Sequence, residues 1–143
     1  MPPRIAHPAN RKPIAPTHAH HPAPLSLDGR HWIAGDARID DREQLIARLR
    51  GRGIPLPHQP TSLQLVLGAA MAWPQDFPER LLGDFAVAVW DARAGELSLV
   101  RDAFGTRPLY YAQTHDRLLF ATDPGALLAD PGVDAAMDLA AAG

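Results

Sequence analysis

Phe85-Ala86-Val87-Ala88-Val89-Trp90 is an unbroken apolar run between Asp84 and Asp91. At the two-residue period of a strand, Phe85, Val87 and Val89 fall on one face and Ala86, Ala88 and Trp90 on the other. A strand that is apolar on both faces must be covered from both sides. A single sheet with one wet face cannot satisfy it. Asp91-Ala92-Arg93-Ala94-Gly95 follows with turn chemistry, and Gly95 can take a positive φ. Glu96 to Val100 returns as a second strand, so residues 84–101 read as a β-hairpin. Pro108 to Ala112 and Arg117 to Ala121 read as two further strands, joined by the polar Gln113-Thr114-His115-Asp116.

Upstream, Leu25 to Ala34 reads as strand, Asp28-Gly29 turn, strand. Asp40 or Asp41 is placed to cap a helix through Arg50. Glu43 near its start and Arg48 and Arg50 near its end complement the macrodipole. Leu45, Ile46 and Leu49 form its buried stripe, and Gly51 and Gly53 stop it. Thr61 or Ser62 caps a second helix through about Trp73. Leu63, Val66, Leu67 and Ala70 lie on one face, and Gly68, Ala69 and Ala72 permit close packing. Pro74 ends it. Phe77 to Leu82 reads as a short third helix, with Pro78 near its start. Pro124 to Ala129 reads as a last helical turn.

Seven of the fifteen prolines and four of the seven histidines fall in residues 1–30. Proline at that density blocks helix and ladder hydrogen bonds alike, so residues 1–24 are expected to be irregular. The Ala-rich residues 133–143 are expected to end without a strand. His18, His20 and His21 form a cluster with no carboxylate or thiol beside it, and a solvated tail explains them better than a metal site. At 143 residues the chain fits one domain. A net charge of −2 carries no nucleic-acid footprint. The chain has no cysteine, which removes disulfides, thiolate metal sites and a thiol nucleophile from these residues. No apolar run approaches the length of a membrane span and no secretory signal pattern is present, so a cytoplasmic location is expected.

Three blocks, GDFAVAVWD, LVRDAFGTRPLYYA and LLFATDPGALL, stand in order here. Together they resemble the second half of the class II (N-terminal nucleophile) glutamine amidotransferase domain of the asparagine synthetase family. There the pattern is G-x-F-A-F-A-x-x-D, then R-D-x-x-G-x-x-P-L-Y-Y, then F-A-S-E-x-K-A-L. DARIDDREQL at 36–45 and the PTSLQLVLGAAMAW helix fit the same family, and the resemblance spans roughly residues 25–132. It implies an α+β fold of the N-terminal-nucleophile hydrolase type: two antiparallel sheets face to face, with helices outside (αββα). The family carries a longer segment before the DARIDD position, whereas 35 residues precede Asp36 here. The N-terminal part of the domain is therefore expected to be incomplete.

The family's chemistry maps poorly onto this chain. Class II amidotransferases hydrolyse glutamine with an N-terminal cysteine whose α-amine serves as base. Residue 2 here is Pro2, and the first Ser or Thr is Thr17. The resemblance puts the family's Asn-Gly-Glu segment, which supplies oxyanion donors and glutamine contacts, on Asp36-Ala37-Arg38. An anion at Asp36 would repel an oxyanion, and Arg38 reverses the acidic position. The family's helix-start Asp, which holds the glutamine α-ammonium, falls on Leu63, which cannot bind a cation. Retained positions are Arg101, Asp102, Gly105, Arg107 and Pro108, which read as a structural loop or as a docking face for a following domain. No S-G-G-x-D-S phosphate loop is present.

The implied function is a glutamine amidotransferase-like domain without glutaminase activity. It would act as scaffold or docking partner for an ATP-dependent amide-forming domain like those of asparagine synthetases, β-lactam synthetases or lasso-peptide cyclases. No catalytic residue, cofactor, metal, nucleic-acid partner or membrane contact is expected. The alternatives are a truncated glutamine-hydrolysing half of an asparagine synthase, and a non-enzymatic module that binds a protein or a small molecule in the slot left by Leu63.

Overall fold

The computed structural model describes residues 4–6, 24–104, 110–113, 118–121, 123–129 and 140–141. The element order is β1 (Arg4–Ala6), β2 (Leu25–Ser26), β3 (His31–Ile39), α1 (Arg42–Gly51), α2 (Ser62–Ala72), a 3-10 turn (Phe77–Arg80), β4 (Gly83–Asp91), β5 (Glu96–Arg101), β6 (Tyr110–Gln113), β7 (Leu118–Ala121), α3 (Pro124–Leu128) and β8 (Ala140–Ala141). Every described strand pair is antiparallel. One sheet has the order β1-β5-β4-β3-β2, and a second has the order β7-β6-β8.

β4 occupies the centre of the larger sheet, and all six of its apolar residues are buried. Phe85, Val87 and Val89 share one core with Ile33, Val100, Leu45 and Leu49 of α1, and the buried side of α2. Ala86, Ala88 and Trp90 share another with Leu97 and Leu99, against Tyr111 and Phe120 of the second sheet. Tyr110, Ala112, Leu119 and Ala121, on the far face of that second sheet, pack against Leu127 of α3. The layers are therefore helices, sheet, sheet, helix, as the both-faced apolar strand requires.

Local chemistry accounts for the element ends. Thr61 Oγ1 accepts from Gln64 N at 3.2 Å, and Gln64 Oε1 accepts from Thr61 N at 2.8 Å, a complete capping box for α2. Residues Leu65 to Ala70 are all buried, because α2 lies beneath α1 and over β3. A Cβ at Gly68 would stand 3.0 Å from Leu49 Cδ1, so the two helices meet there. α1 departs from the expected cap. Asp41 sits at φ 58° with no side-chain cap bond, and Asp40 is engaged by Arg38 instead. Gly53, at φ 77°, turns the chain out of α1 and donates to the Arg50 carbonyl.

Two expectations give way. Arg4–Ala6 is paired with Glu96, Leu97 and Ser98, so those three residues of the Pro-rich start form an edge strand. Ala140–Ala141 pairs with Tyr111 and Tyr110, so the Ala-rich end does contain a strand. Strands this short carry no alternation that could reveal them. The His18, His20 and His21 cluster lies outside the described residues.

Gly35 and Gly83 mark the tightest approach of β3 to β4. Gly35 sits at φ 128°, and a Cβ there would run into the Ala86 carbonyl oxygen and stand 2.9 Å from Val87 Cα. Gly83 sits at φ 148°, and its Cβ would meet the Arg38 carbonyl oxygen and stand 3.0 Å from Ile39 Cα. Both obstacles are backbone and cannot rotate away. At the other end of the same strands, the two turns are joined by charge. Arg30 grips Asp91 in two parallel bonds, Nε to Oδ1 at 3.0 Å and Nη2 to Oδ2 at 2.9 Å. His31 Nδ1 lies 2.6 Å from Asp28 Oδ2 and its Nε2 lies 3.5 Å from Asp91 Oδ2. The Arg30 guanidinium holds the Asp91 carboxyl well below the usual carboxylate range, and the Ala94 and Arg93 amides add to the effect. Burial works against ionisation at Asp28, but hydrogen bonds from His31 and Arg30 outweigh it and lower its pKa too.

Gly35→Ala and Gly83→Ala are each expected to cost about 3 kcal/mol or more, read from the urea midpoint at constant slope. Because the folded-state pKa of Asp91 is depressed, its contribution is complete above the usual carboxylate range and is lost as the pH falls. The stability gap between the wild type and Asp91→Asn should therefore be widest near pH 7 and should shrink below about pH 4. A gap constant with pH would remove the Arg30–Asp91 pair from the account.

Candidate functional site

β3 carries three of the sequence-predicted positions, and the pleat divides them. Asp36 lies opposite Ala86 and Arg38 opposite Asp84, on the face turned to the second sheet. Ala37 lies opposite Phe85 and packs into the helix-side core. Leu63, the second residue of α2, is half-buried and packs against that same core. A single site therefore cannot use all four side chains, because a five-stranded sheet stands between the two pairs.

Asp36 on β3 and Arg101 on β5 fall on one face of the sheet, on either side of Ala86, so the three residues form a row across it. Arg38 begins the next row with Asp84. Its Nε and Nη2 donate to Asp84 Oδ2 at 3.1 and 2.9 Å, and its Nη1 donates to Asp40 Oδ1 at 2.6 Å. The guanidinium is thus tied to one carboxylate across the strand pair and to another just past the end of its own strand. Arg38 is the hub of an ion network.

Asp102 is 7% exposed, the one charged side chain buried among the described residues. Its Oδ1 accepts from Phe85 N at 3.2 Å, and its own N–H donates to the Phe85 carbonyl at 3.0 Å. It extends the β4–β5 ladder one step past Arg101, which is a structural duty. Phe104, two residues on, is 91% exposed. Gly105, Arg107 and Pro108 lie outside the described residues.

Ser62, adjacent to the expected Leu63, is the polar residue at the start of α2. Its Oγ accepts from Arg42 Nη1 at 2.9 Å and from Ile39 N at 3.3 Å, and Arg42 Nη2 donates to the Pro60 carbonyl. The end of β3 and the starts of α1 and α2 are fastened at this hydroxyl. With two donors upon it, and a guanidinium that cannot act as a base, Ser62 is held as a structural tie. The sequence offers Ser62 as a helix cap, a role that Thr61 fills, and nothing in it marks Arg42 or Asp84. Their partners lie 18 to 46 positions away, so no local pattern announces them. Among the described residues, no group of three or more His, Asp or Glu side chains could hold a metal ion. Among them, too, no helix is long and apolar enough to cross a membrane.

The arrangement offers fixed charge at one end of the sheet pair. Comparison with known proteins fits the architecture. Residues 9–129 match the family described as "Glutamine amidotransferase domain". Asparagine synthetase [glutamine-hydrolyzing] 3 of Bacillus subtilis (strain 168) is 32% identical over 108 residues, covering 76% of this chain and 17% of that protein. Asparagine synthetase [glutamine-hydrolyzing] 1 of the same organism is 27% identical over 106 residues, covering 73% of this chain and 17% of that protein. Asparagine synthetase [glutamine-hydrolyzing] 2 is 36% identical over a shorter stretch of 55 residues, or 38% of this chain and 7% of that protein. The chain thus corresponds to under a fifth of the length of the first of these relatives. A match over most of the sequence, on a four-layer frame of two antiparallel sheets between helices, places this chain in the asparagine-synthase-related glutamine amidotransferase domain family.

Proposed function

We propose that this domain has lost glutamine hydrolysis and serves as scaffold and docking partner for an ATP-dependent amide-forming domain. The observation that carries this reading is the state of Arg38. A glutamine site of the family's kind needs an acidic group at this position, and here the residue is a cation saturated by Asp84 and Asp40. Binding the substrate's ammonium beside that guanidinium would set like charge against like charge. Asp36 adds an anion where an oxyanion would have to form. These residues contain no cysteine. Each change alone is a substitution, and together they act against both the oxyanion and the substrate's ammonium.

The packing of Leu63 weighs against the small-molecule alternative. Its side chain is packed against the helix-side core and leaves no reason to place a ligand slot there. The docking reading draws on two features at one end of the sheet pair. Phe104 is almost wholly exposed just beyond the end of β5, and Leu82 is exposed just before the start of β4. The Asp40 amide donates to the Leu82 carbonyl at 2.8 Å, which sets Leu82 beside the Arg38 ion network. An exposed apolar pair rimmed by charge has the make-up of a protein contact.

Incubation with L-glutamine should release no ammonia above the buffer blank. Ammonia release that is saturable in glutamine would return the domain to the hydrolases. In calorimetric titration against an ATP-dependent amide-forming protein encoded in the same genome, Phe104→Asp should weaken binding about tenfold or more. An unchanged affinity would remove this end of the domain from the contact.

A further inference from the structure

The helix layer carries a second charged feature around Trp73. Trp73 forms the C-cap of α2 and is 8% exposed. The guanidinium carbons of Arg48, Arg80 and Arg52 stand 4.7, 4.9 and 5.5 Å from the centroid of its indole ring. They come from α1, from the 3-10 turn and from the C-cap of α1. Three cations thus share one aromatic quadrupole.

Their counter-charges do not balance. Arg80 Nε donates to Asp76 Oδ2 at 3.0 Å. Arg52 Nη2 donates to the Ala72 carbonyl at 3.2 Å. Among the described residues, neither Arg52 nor Arg48 is paired with a carboxylate. All three arginines are exposed while the indole beneath them is covered. Part of the cluster has a structural use, because α1 and α2 both end here and cations offset their terminal carbonyls. One arginine per helix end would serve that purpose. Three guanidiniums drawn to one ring repel each other unless anions sit between them.

We propose that Arg48, Arg52 and Arg80, held over Trp73, form a docking site for an acidic segment of a protein partner. Attraction to the ring holds the guanidiniums over it, so less side-chain freedom is lost when each fork meets a carboxylate. The surface is exposed and spread over several ångströms around the ring, which suits successive Asp or Glu side chains of a chain laid across it. Trp and Arg together are the composition of an interface hot spot. The site does not depend on the docking reading given above, since it lies on the helix layer and names its partner by charge alone.

The test is a titration of the isotopically labelled full chain with a hexaglutamate peptide, followed at the indole N–H signals in nuclear magnetic resonance. The Trp73 signal should shift saturably at low salt, and the shift should be suppressed by added salt. The Trp32 and Trp90 signals should stay in place. In Arg48→Gln/Arg52→Gln the peptide affinity should fall about tenfold, with Trp32 and Trp90 confirming that the fold is kept. No saturable shift, or an equal affinity in the double variant, would overturn the proposal. Inorganic phosphate binding more tightly than the peptide at the same signal would also overturn it, and would make the cluster a phosphate site.

Discussion

Everything in this fold follows from the need to cover β4 on both faces. Burying a large apolar side chain contributes roughly 1.5–3 kcal/mol, and β4 buries six apolar residues in succession. No two-layer arrangement can collect that free energy. The helices take the Phe85, Val87 and Val89 side and the second sheet takes the Ala86, Ala88 and Trp90 side. β3 and β5 then have to flank β4, since its backbone groups are cut off from water as well. Gly35 and Gly83 are the local cost of that closeness, at points where β3 and β4 leave no room for a side chain.

Much of this was legible from residue pattern. The β4–β5 hairpin follows from apolar alternation broken by an Asp-to-Gly turn. Thr61 and Gln64 announce the start of α2, and Gly53 announces the end of α1, because those roles depend on neighbours in sequence. What stayed hidden depends on distant partners. Arg30 and Asp91 are 61 positions apart, and nothing near either residue points to the other. Asp41 looks like a cap in sequence, but Arg38 draws Asp40 away and Asp41 adopts a left-handed backbone instead. β1 and β8 went unseen because two- and three-residue edge strands owe their pairing to the sheet they join.

The candidate site shows the same division in a sharper form. Asp36-Ala37-Arg38 reads as one unit in sequence, but a strand sends neighbouring side chains to opposite faces. Ile33, Ala37 and Ile39 of β3 are bound into the core and cannot vary freely. The even-numbered positions at this end face the rim, where charge can be rearranged at little cost in stability. That asymmetry lets charge at the rim of β3 differ while the layers beneath it are kept. The fold is specified by one set of positions and the chemistry by another.

The order of the strands also bears on how the chain reaches this state. β4 and β5 are neighbours in sequence, so their hairpin closes a short loop. β3 can pair with β4 only after α1, α2 and the 3-10 turn between them have been made, and the helices that cover one face must then close over it. Long-range pairing of this kind is slow, because loop-closure entropy is lost before the contacts compensate for it. During synthesis, β3 leaves the ribosome well ahead of its partner. Trp32, Ile33 and Ile39 must then wait without a sheet, beside an amphipathic α1 that has nothing to rest on. This nascent stretch is where chaperones would find the most to hold.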